Sequence, residues 1–202
     1  MCYSVQSSIV AWLVSVGIGM YLWSRNNRYD RWNASFIWTF SAVQLWEAGI
    51  WGSSSPQTQG FFVALIMLTL LAQPLVQTFG AWKSTGSDVL KYMTFVYGAI
   101  WLYTLYRAFT EKFSVSRGPT GHLVWHTNND SVVGGSFSFI GLLYILGLFL
   151  GLLWGLPQTV LLIAVGFATL WWSYTNVSTG EFSSYWCYTA MAYSVAALFT
   201  GS

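Results

Sequence analysis

The chain has 202 residues, of which 55% are apolar and 7% are charged, and its 8 basic and 6 acidic side chains give a formal net charge of +2. A soluble domain carries about 25% charged residues, so this composition argues against a soluble enzyme, and the small net charge argues against a nucleic-acid binder. The mean hydropathy of +0.52 and the long apolar segments instead predict an integral membrane protein.

Seven apolar segments are predicted to form helices that cross the membrane. Each such helix needs about 20 residues, and the segments lack the period-2 alternation of barrel strands. The predicted fold class is therefore all-α, with residues 1–202 forming one domain that is a polytopic bundle of seven transmembrane helices. The predicted spans are residues 8–24, 33–52, 60–79, 89–109, 136–154, 157–174 and 183–201.

Short turns separate most of these spans. Ser53-Ser54-Ser55-Pro56 follows span two, and Ser84-Thr85-Gly86-Ser87 follows span three. Trp154-Gly155-Leu156-Pro157 predicts a tight helical hairpin with Pro157 at the first position of span six. One connection, at about residues 110–135, is long and is predicted to form an outer loop.

The basic residues predict the orientation of the bundle, because cytoplasmic loops carry more Lys and Arg than outer loops. The turns after spans one and three hold five basic residues, and the opposite loops hold three. The amino terminus is therefore predicted to lie outside or in a lumen, and the carboxyl terminus in the cytoplasm. The five residues are Arg25, Arg28, Arg31, Lys83 and Lys91, and the three are Arg107, Lys112 and Arg117.

Glu47, in span two, is the main candidate for a functional group. An acidic side chain inside a span is costly and usually faces a bundle interior, a cavity or a partner. Glu47 is about 7 Å from the outer end of its span at 1.5 Å per residue, and Gln44 lies one turn away on the same face. Two interpretations stay open: a protonatable or cation-binding carboxylate, and an interfacial acid hydrogen-bonded to a neighbouring helix.

Spans three and seven contain further polar candidates. Pro74 cannot donate to the carbonyl of Leu70, so this acceptor needs another partner. Gln73 and Gln77 share a face and would line a solute path if they pointed inward, although a plain packing kink is the favoured interpretation. Glu181 precedes span seven, where a carboxylate favourably meets the positive end of the helix dipole.

The cysteines and histidines give weaker indications. Cys2 and Cys187 are the two cysteines of the chain and both fall on the predicted outer side, so they are disulfide candidates in an oxidising compartment. His122 and His126 lie in the long loop, where flanking Gly and Pro residues predict a turn and a short strand. Because no Cys is near them and a metal site would need Glu47 or Glu181 to converge from other helices, no metal site is predicted.

Several short motifs occur together in this chain: the Met1-Cys2-Tyr3-Ser4 start, the acid in span two, Gln73-Pro74, the segment from Gly121 to His126, and Glu181 with Trp186-Cys187. Together they resemble an uncharacterised family of small multi-spanning membrane proteins from large DNA viruses, algae and other protists. The resemblance covers nearly the whole chain, with Tyr3 standing where tryptophan is expected. It implies a multi-spanning fold and supplies no activity.

The leading hypothesis is a membrane protein with a polar, aromatic-lined outer cavity that transports or conducts a small solute or cation. The alternative is a non-transporting sensor, receptor or structural subunit that binds a partner through the 110–135 loop.

The chain has no recognisable nucleophile–base pair or cofactor motif, so no enzymatic activity is predicted and any cofactor stays unknown. The expected partners are membrane lipid, a small solute or cation, and further copies of the same chain. The proposed cavity residues are Glu47, Gln44, Gln73, Glu181, Trp46, Trp51 and Trp186.

Overall fold

The structure is a computed structural model that describes residues 4–127, 139–178 and 180–200, and most of these residues are helical. Helices occupy all seven predicted segments, as far as those segments fall within the described residues. The helices are α1 (Val5–Arg25), α2 (Asp30–Gly52), α3 (Pro56–Thr85), α4 (Asp88–Thr110), α5 (Phe139–Trp154), α6 (Val160–Asn176), α7 (Phe182–Thr189) and α8 (Met191–Ala197).

Local sequence signals set the ends of the first helices. Ser4 caps α1 by accepting a hydrogen bond from the backbone of Ser7, and Ser55 caps α3 in the same way, with Pro56 at the first helical position. Helix α3 ends at Gly86, whose positive φ of 73° gives the left-handed cap that favours glycine. These caps make α3 30 residues long, about 45 Å at 1.5 Å per residue.

The first four helices follow one another with connections of two to four residues, which makes neighbouring helices antiparallel. Helix α3 packs against α2, α4 and α5, while α7 and α8 pack against α2 and α6. We call the end of the bundle where α1 and α3 begin the outer end and the opposite end the inner end. Helix α2, with more than half of its residues buried, lies at the centre.

The last two predicted spans differ from the structure in detail. Helix α6 begins at Val160, three residues after Pro157, because residues 155–159 form turns. Span seven is divided into α7 and α8 at Ala190. The backbone tightens there, with the amide of Tyr193 donating to the carbonyl of Ala190 at 2.9 Å, so the regular α-helical hydrogen-bond pattern is interrupted.

The long loop contains a β-hairpin, a small addition to a fold that is otherwise helical among the described residues. Strand β1 (Phe113–Arg117) pairs antiparallel with β2 (Leu123–Thr127). Gly121, with a φ of 88°, lies in the turn between them. The turn and short strand predicted around the two histidines are therefore confirmed, and residues 128–135 of the loop lie outside the described residues.

Large apolar side chains lie on the surface of the bundle, and several polar side chains are buried within its apolar core. Large apolar side chains are exposed along α1, α4 and α6, with Tyr92 67% and Phe109 84% exposed. Inside the bundle, polar side chains such as Gln44, Glu47 and Gln77 have no solvent exposure. Two of the described helices, α1 and α3, are long and apolar enough to cross a membrane.

Arg25 joins three segments at the inner end of the bundle. Its guanidinium donates to both carboxylate oxygens of Asp30, at 2.7 and 2.8 Å, and to the carbonyl of Leu198 at 2.7 Å. Asp30 is fully buried and also accepts from the backbone of Asn27. Arg25 therefore ties the end of α1 to the start of α2 and to the end of α8.

Replacing Arg25 should destabilise the fold, because the Arg25→Met change leaves the buried carboxylate of Asp30 without its cation. Breaking such a pair costs about 3 kcal/mol. We expect a clear fall in the thermal unfolding midpoint in detergent, measured by circular dichroism. Arg28→Met is the matched control, since the Arg28 guanidinium only stacks on the Tyr29 ring. Equal midpoints for the two variants would contradict the prediction.

Candidate functional site

One face of α2 carries a line of side chains that runs through the interior from the inner to the outer end. Its positions are spaced by four and three residues, which keeps them on the same side of a helix. Three of the positions are polar and three are apolar, and all except the last are buried. The positions are Asn33, Ile37, Phe40, Gln44, Glu47 and Trp51.

Glu47 is held by a helix that is distant in sequence. Its carboxylate accepts a 2.5 Å hydrogen bond from the hydroxyl of Ser184 on α7, and Gln44 interacts with it from one turn away. Glu47 and Ser184 are 0% and 1% exposed. The second carboxylate oxygen, Oε2, has no hydrogen-bond partner among the described residues, so the carboxylate keeps an acceptor position that a proton, a cation or a donor group can fill.

A cavity of about 50 Å³, which we call the inner cavity, lies two turns inward from Glu47, between α2, α3 and the helices from α5 to α8. Gln73 supplies an amide to its wall. The hydroxyl of Tyr144 donates to Gln73 Oε1 at 2.6 Å, and Gln73 Nε2 has no hydrogen-bond partner among the described residues. The aromatic part of the lining consists of Phe36, Phe40, Tyr144, Phe149, Trp186 and Tyr193.

Two interruptions of regular helix lie beside this inner cavity. Pro74 follows Gln73 in α3 and has no amide proton for the carbonyl of Leu70. Ala190, which lines the cavity, separates α7 from α8. Irregular backbone inside a membrane protein is tolerated where it is buried or lines a cavity, and discontinuous helices form the binding sites of many transporters.

A second cavity of about 270 Å³ opens at the outer end, one turn outward from Glu47. We call it the outer cleft. It is lined by the ends of α2 and α3 and by both strands of the hairpin, and none of the described residues that line it is acidic. The guanidinium carbon of Arg117 lies 4.7 Å from the centre of the Trp51 ring, a cation–π distance.

Glu181 fastens the hairpin to the start of α7. Its fully buried carboxylate accepts hydrogen bonds from the backbone amides of Thr120 and His122, at 3.1 and 2.9 Å, and from the Thr120 and Ser178 hydroxyls. The hairpin turn approaches so closely that a Cβ at Gly118 would lie 2.2 Å from the carboxyl carbon. Burial by itself raises the pKa of Glu181, but these hydrogen bonds outweigh it, and the pKa lies below its ordinary value.

His122 is a structural residue of this junction. Its ring meets the Tyr185 ring edge to face at 4.8 Å and is 1% exposed. Burial lowers its pKa to about 4, although the Glu181 carboxylate acts in the opposite direction. No group of three or more His, Cys, Asp or Glu side chains that could hold a metal occurs in the part of the chain that the structure describes.

The proposed cavity residues lie at several separate places. Gln73 and Trp186 line the inner cavity, and Trp51 lines the outer cleft. Glu47 and Gln44 lie between the two. The Trp46 indole donates to Thr69 on α3 at 2.9 Å, and Glu181 faces the hairpin.

The residues that complete these sites were not singled out in the sequence. They include Ser184, Tyr144 and Thr120, which hydrogen-bond to Glu47, Gln73 and Glu181, and Arg117 in the outer cleft. Hydroxyl residues inside apolar spans were the available signal for Ser184 and Tyr144. The three hydrogen-bonding residues lie at least 61 residues from their partners in sequence.

The proposed disulfide lies partly outside the described residues. Cys187 is buried on α7 and lines the inner cavity, whereas Cys2 precedes the described part of the chain. The pairing therefore stays a prediction.

No family model, no curated protein and no solved structure matches this chain.

Acid should loosen the hairpin. With a folded-state pKa below the ordinary value, Glu181 stabilises the attachment above that value, and this contribution is lost as pH falls through the folded pKa. Folding lowers the pKa of His122 from 6.5 to about 4. Between these two pH values the unfolded state binds a proton more readily than the folded state, so His122 also destabilises the folded hairpin in acid. We expect the amides of Thr120 and His122 to exchange hydrogen faster at about pH 4.5 than at about pH 7, after correction for intrinsic rates.

The Glu181→Gln variant should show this faster exchange already at neutral pH, by about tenfold, because a hydrogen bond to a charged group contributes about 1.5–3 kcal/mol. Glu111→Gln is the control, since Glu111 pairs with Arg107 just before the hairpin. Unchanged amide exchange in Glu181→Gln would show that other contacts hold the hairpin.

Proposed function

We propose that the protein is a multi-pass membrane protein that carries a small polar solute or a cation between the outer cleft and the inner cavity, with Glu47 as the group on which passage depends. The observation that carries the proposal is the position of this fully buried carboxylate. On the same face of α2, Trp51 lies one turn outward from Glu47 and lines the outer cleft. Phe40 lies two turns inward from Glu47 and lines the inner cavity.

The multi-pass part of the proposal is supported by the surface and by the connections. Apolar faces of α1, α4 and α6 are exposed where a soluble protein would carry charge. Helices α2 and α4 have 23 residues each, long enough to cross a bilayer, and the apolar helices α5 and α6 have 16 and 17. With α7 and α8 crossing together, the chain would cross seven times.

The transport part is supported by the chemistry of the interior. Apolar residues at the buried polar positions of α2 would give a more stable fold, because burying a polar group costs free energy unless hydrogen bonds replace its lost hydration. The line on α2 instead places a carboxylate and amides between two cavities, next to interrupted helices. Glu47 Oε2 is suited to a proton, a cation or a hydroxyl donor.

Seven crossings predict the side of the membrane on which each turn lies. Single cysteines in a cysteine-free chain, introduced as Ser54→Cys and Ser114→Cys, should react with a membrane-impermeant maleimide from one side. Asn27→Cys and Lys83→Cys should react only from the other side or after permeabilisation, because Asn27 lies between α1 and α2 and Lys83 lies in the last turn of α3, both at the inner end. Labelling of all four positions from one side would rule out this topology.

Glu47→Gln tests the transport function directly, because it keeps the shape and the contact with Ser184 but removes the charge. In liposomes containing the protein, we would follow uptake of radioactive rubidium, proton entry with a pH-sensitive dye, and glycerol-driven swelling. We expect wild-type flux of at least one probe and a fall of about tenfold or more in Glu47→Gln, the size that corresponds to about 1.4 kcal/mol.

Glu111→Gln is the matched control, because it also removes a carboxylate at the outer end. Glu111 directly follows α4 and pairs with Arg107. Its flux should equal that of the wild type. Wild-type flux no greater than in protein-free liposomes for all three probes, or equal flux in Glu47→Gln and wild type, would refute the proposal.

A further inference from the structure

We infer that the outer cleft is a binding site for a small oxyanion, a carboxylate or phosphate group, held by the Arg117 guanidinium. The cleft has a volume of about 270 Å³, close to the lower end of the range for small-molecule sites. The inference concerns a different site from Glu47 and does not rest on the proposed transport function.

The charge of Arg117 has no counter-charge within the described part of the chain. The two ion pairs there are Arg25 with Asp30 and Arg107 with Glu111, and the lining of the cleft contains no acidic side chain. Arg117 is instead positioned over the Trp51 ring. This contact places no hydrogen-bond acceptor on the guanidinium, so its N–H groups remain available for a carboxylate or a phosphate.

A second donor is present in the same cleft. Trp51 Nε1 is buried and has no hydrogen-bond partner among the described residues, although buried indole N–H groups usually find an acceptor. Ser53 and Ser116 add hydroxyl groups to the lining. The cleft thus combines a cation, an indole donor and hydroxyl groups without a carboxylate, a combination that favours an acceptor-rich anion over a cation.

The site is also held in a fixed geometry. Arg117 is the last residue of β1, directly before the turn that Glu181 fastens to α7. Its partner in the strand register is Leu123, which is 3% exposed and also lines the cleft. A guanidinium on a fastened hairpin loses less freedom on binding than one on a loose loop, and this favours affinity.

The oxyanion has two sources that the test must separate, a soluble carboxylate or phosphate and the phosphate of a lipid headgroup. For the first, the purified full chain in lipid-free detergent would be titrated with succinate and with inorganic phosphate at constant ionic strength, and the thermal unfolding midpoint recorded. For the second, native mass spectrometry would count retained phosphatidylglycerol against phosphatidylcholine. Saturable stabilisation supports the soluble anion, and selective retention of phosphatidylglycerol supports the headgroup.

Three variants make the test specific. Arg117→Gln should weaken binding by about tenfold or more, as expected for a lost charged hydrogen-bond donor. Trp51→Phe keeps a ring beneath the guanidinium and removes the indole donor, so a loss of about fivefold is expected. Lys112→Gln, which removes an exposed cation next to β1, should bind like the wild type.

The inference is overturned if neither the soluble anions nor phosphatidylglycerol distinguish the wild type from Arg117→Gln. It is also overturned if Lys112→Gln weakens binding as much as Arg117→Gln does, because general surface charge would then explain the effect. Glu47→Gln should bind the anion at least as tightly as the wild type, because it removes a nearby carboxylate, so a failure of the transport proposal and a failure of this one give different results.

Discussion

The hydrogen bond between Glu47 and Ser184 is the contact on which the interior depends. It joins α2 to α7 through two residues that are 137 positions apart in sequence, and its acceptor is a fully buried carboxylate. Burial of such a group without partners is very costly, so the helices must remain packed around it. Lipid supplies no hydrophobic drive for helix association, and polar contacts of this kind therefore give a bundle with an apolar surface a defined arrangement.

The same principle operates at three levels along the bundle. Arg25 and Asp30 join α1, α2 and the end of α8 at the inner end, and Gln73 with Tyr144 joins α3 to α5 in the middle. At the outer end, Glu181 joins α7 to the hairpin. Each level connects elements that are distant in sequence. Each uses a charged or amide group, whose hydrogen bonds fix a relative orientation of the elements that an apolar contact would not fix.

The sequence predicted the helices because apolar composition and helix-ending residues are local signals. Ser55 with Pro56 begins α3 as the turn motif indicates, and Gly86 ends it. The break at Ala190 was missed because alanine is a good helix former and the interruption arises from packing. The interior polar positions Glu47 and Gln73 were found for a related reason, as polar residues are conspicuous in an apolar segment. Their partners Ser184 and Tyr144 could not be found, because a pairing between distant helices depends on the three-dimensional packing of the bundle.

The two opposite charges of the proposed route lie at different depths on one side of the bundle. Arg117 lies at the mouth over Trp51, and Glu47 lies one helical turn below that ring. A guanidinium at the mouth repels an approaching cation, and an oxyanion seated on it would remove this repulsion. Anion and cation would then favour each other's binding, and thermodynamic linkage requires the effect to be equal in both directions.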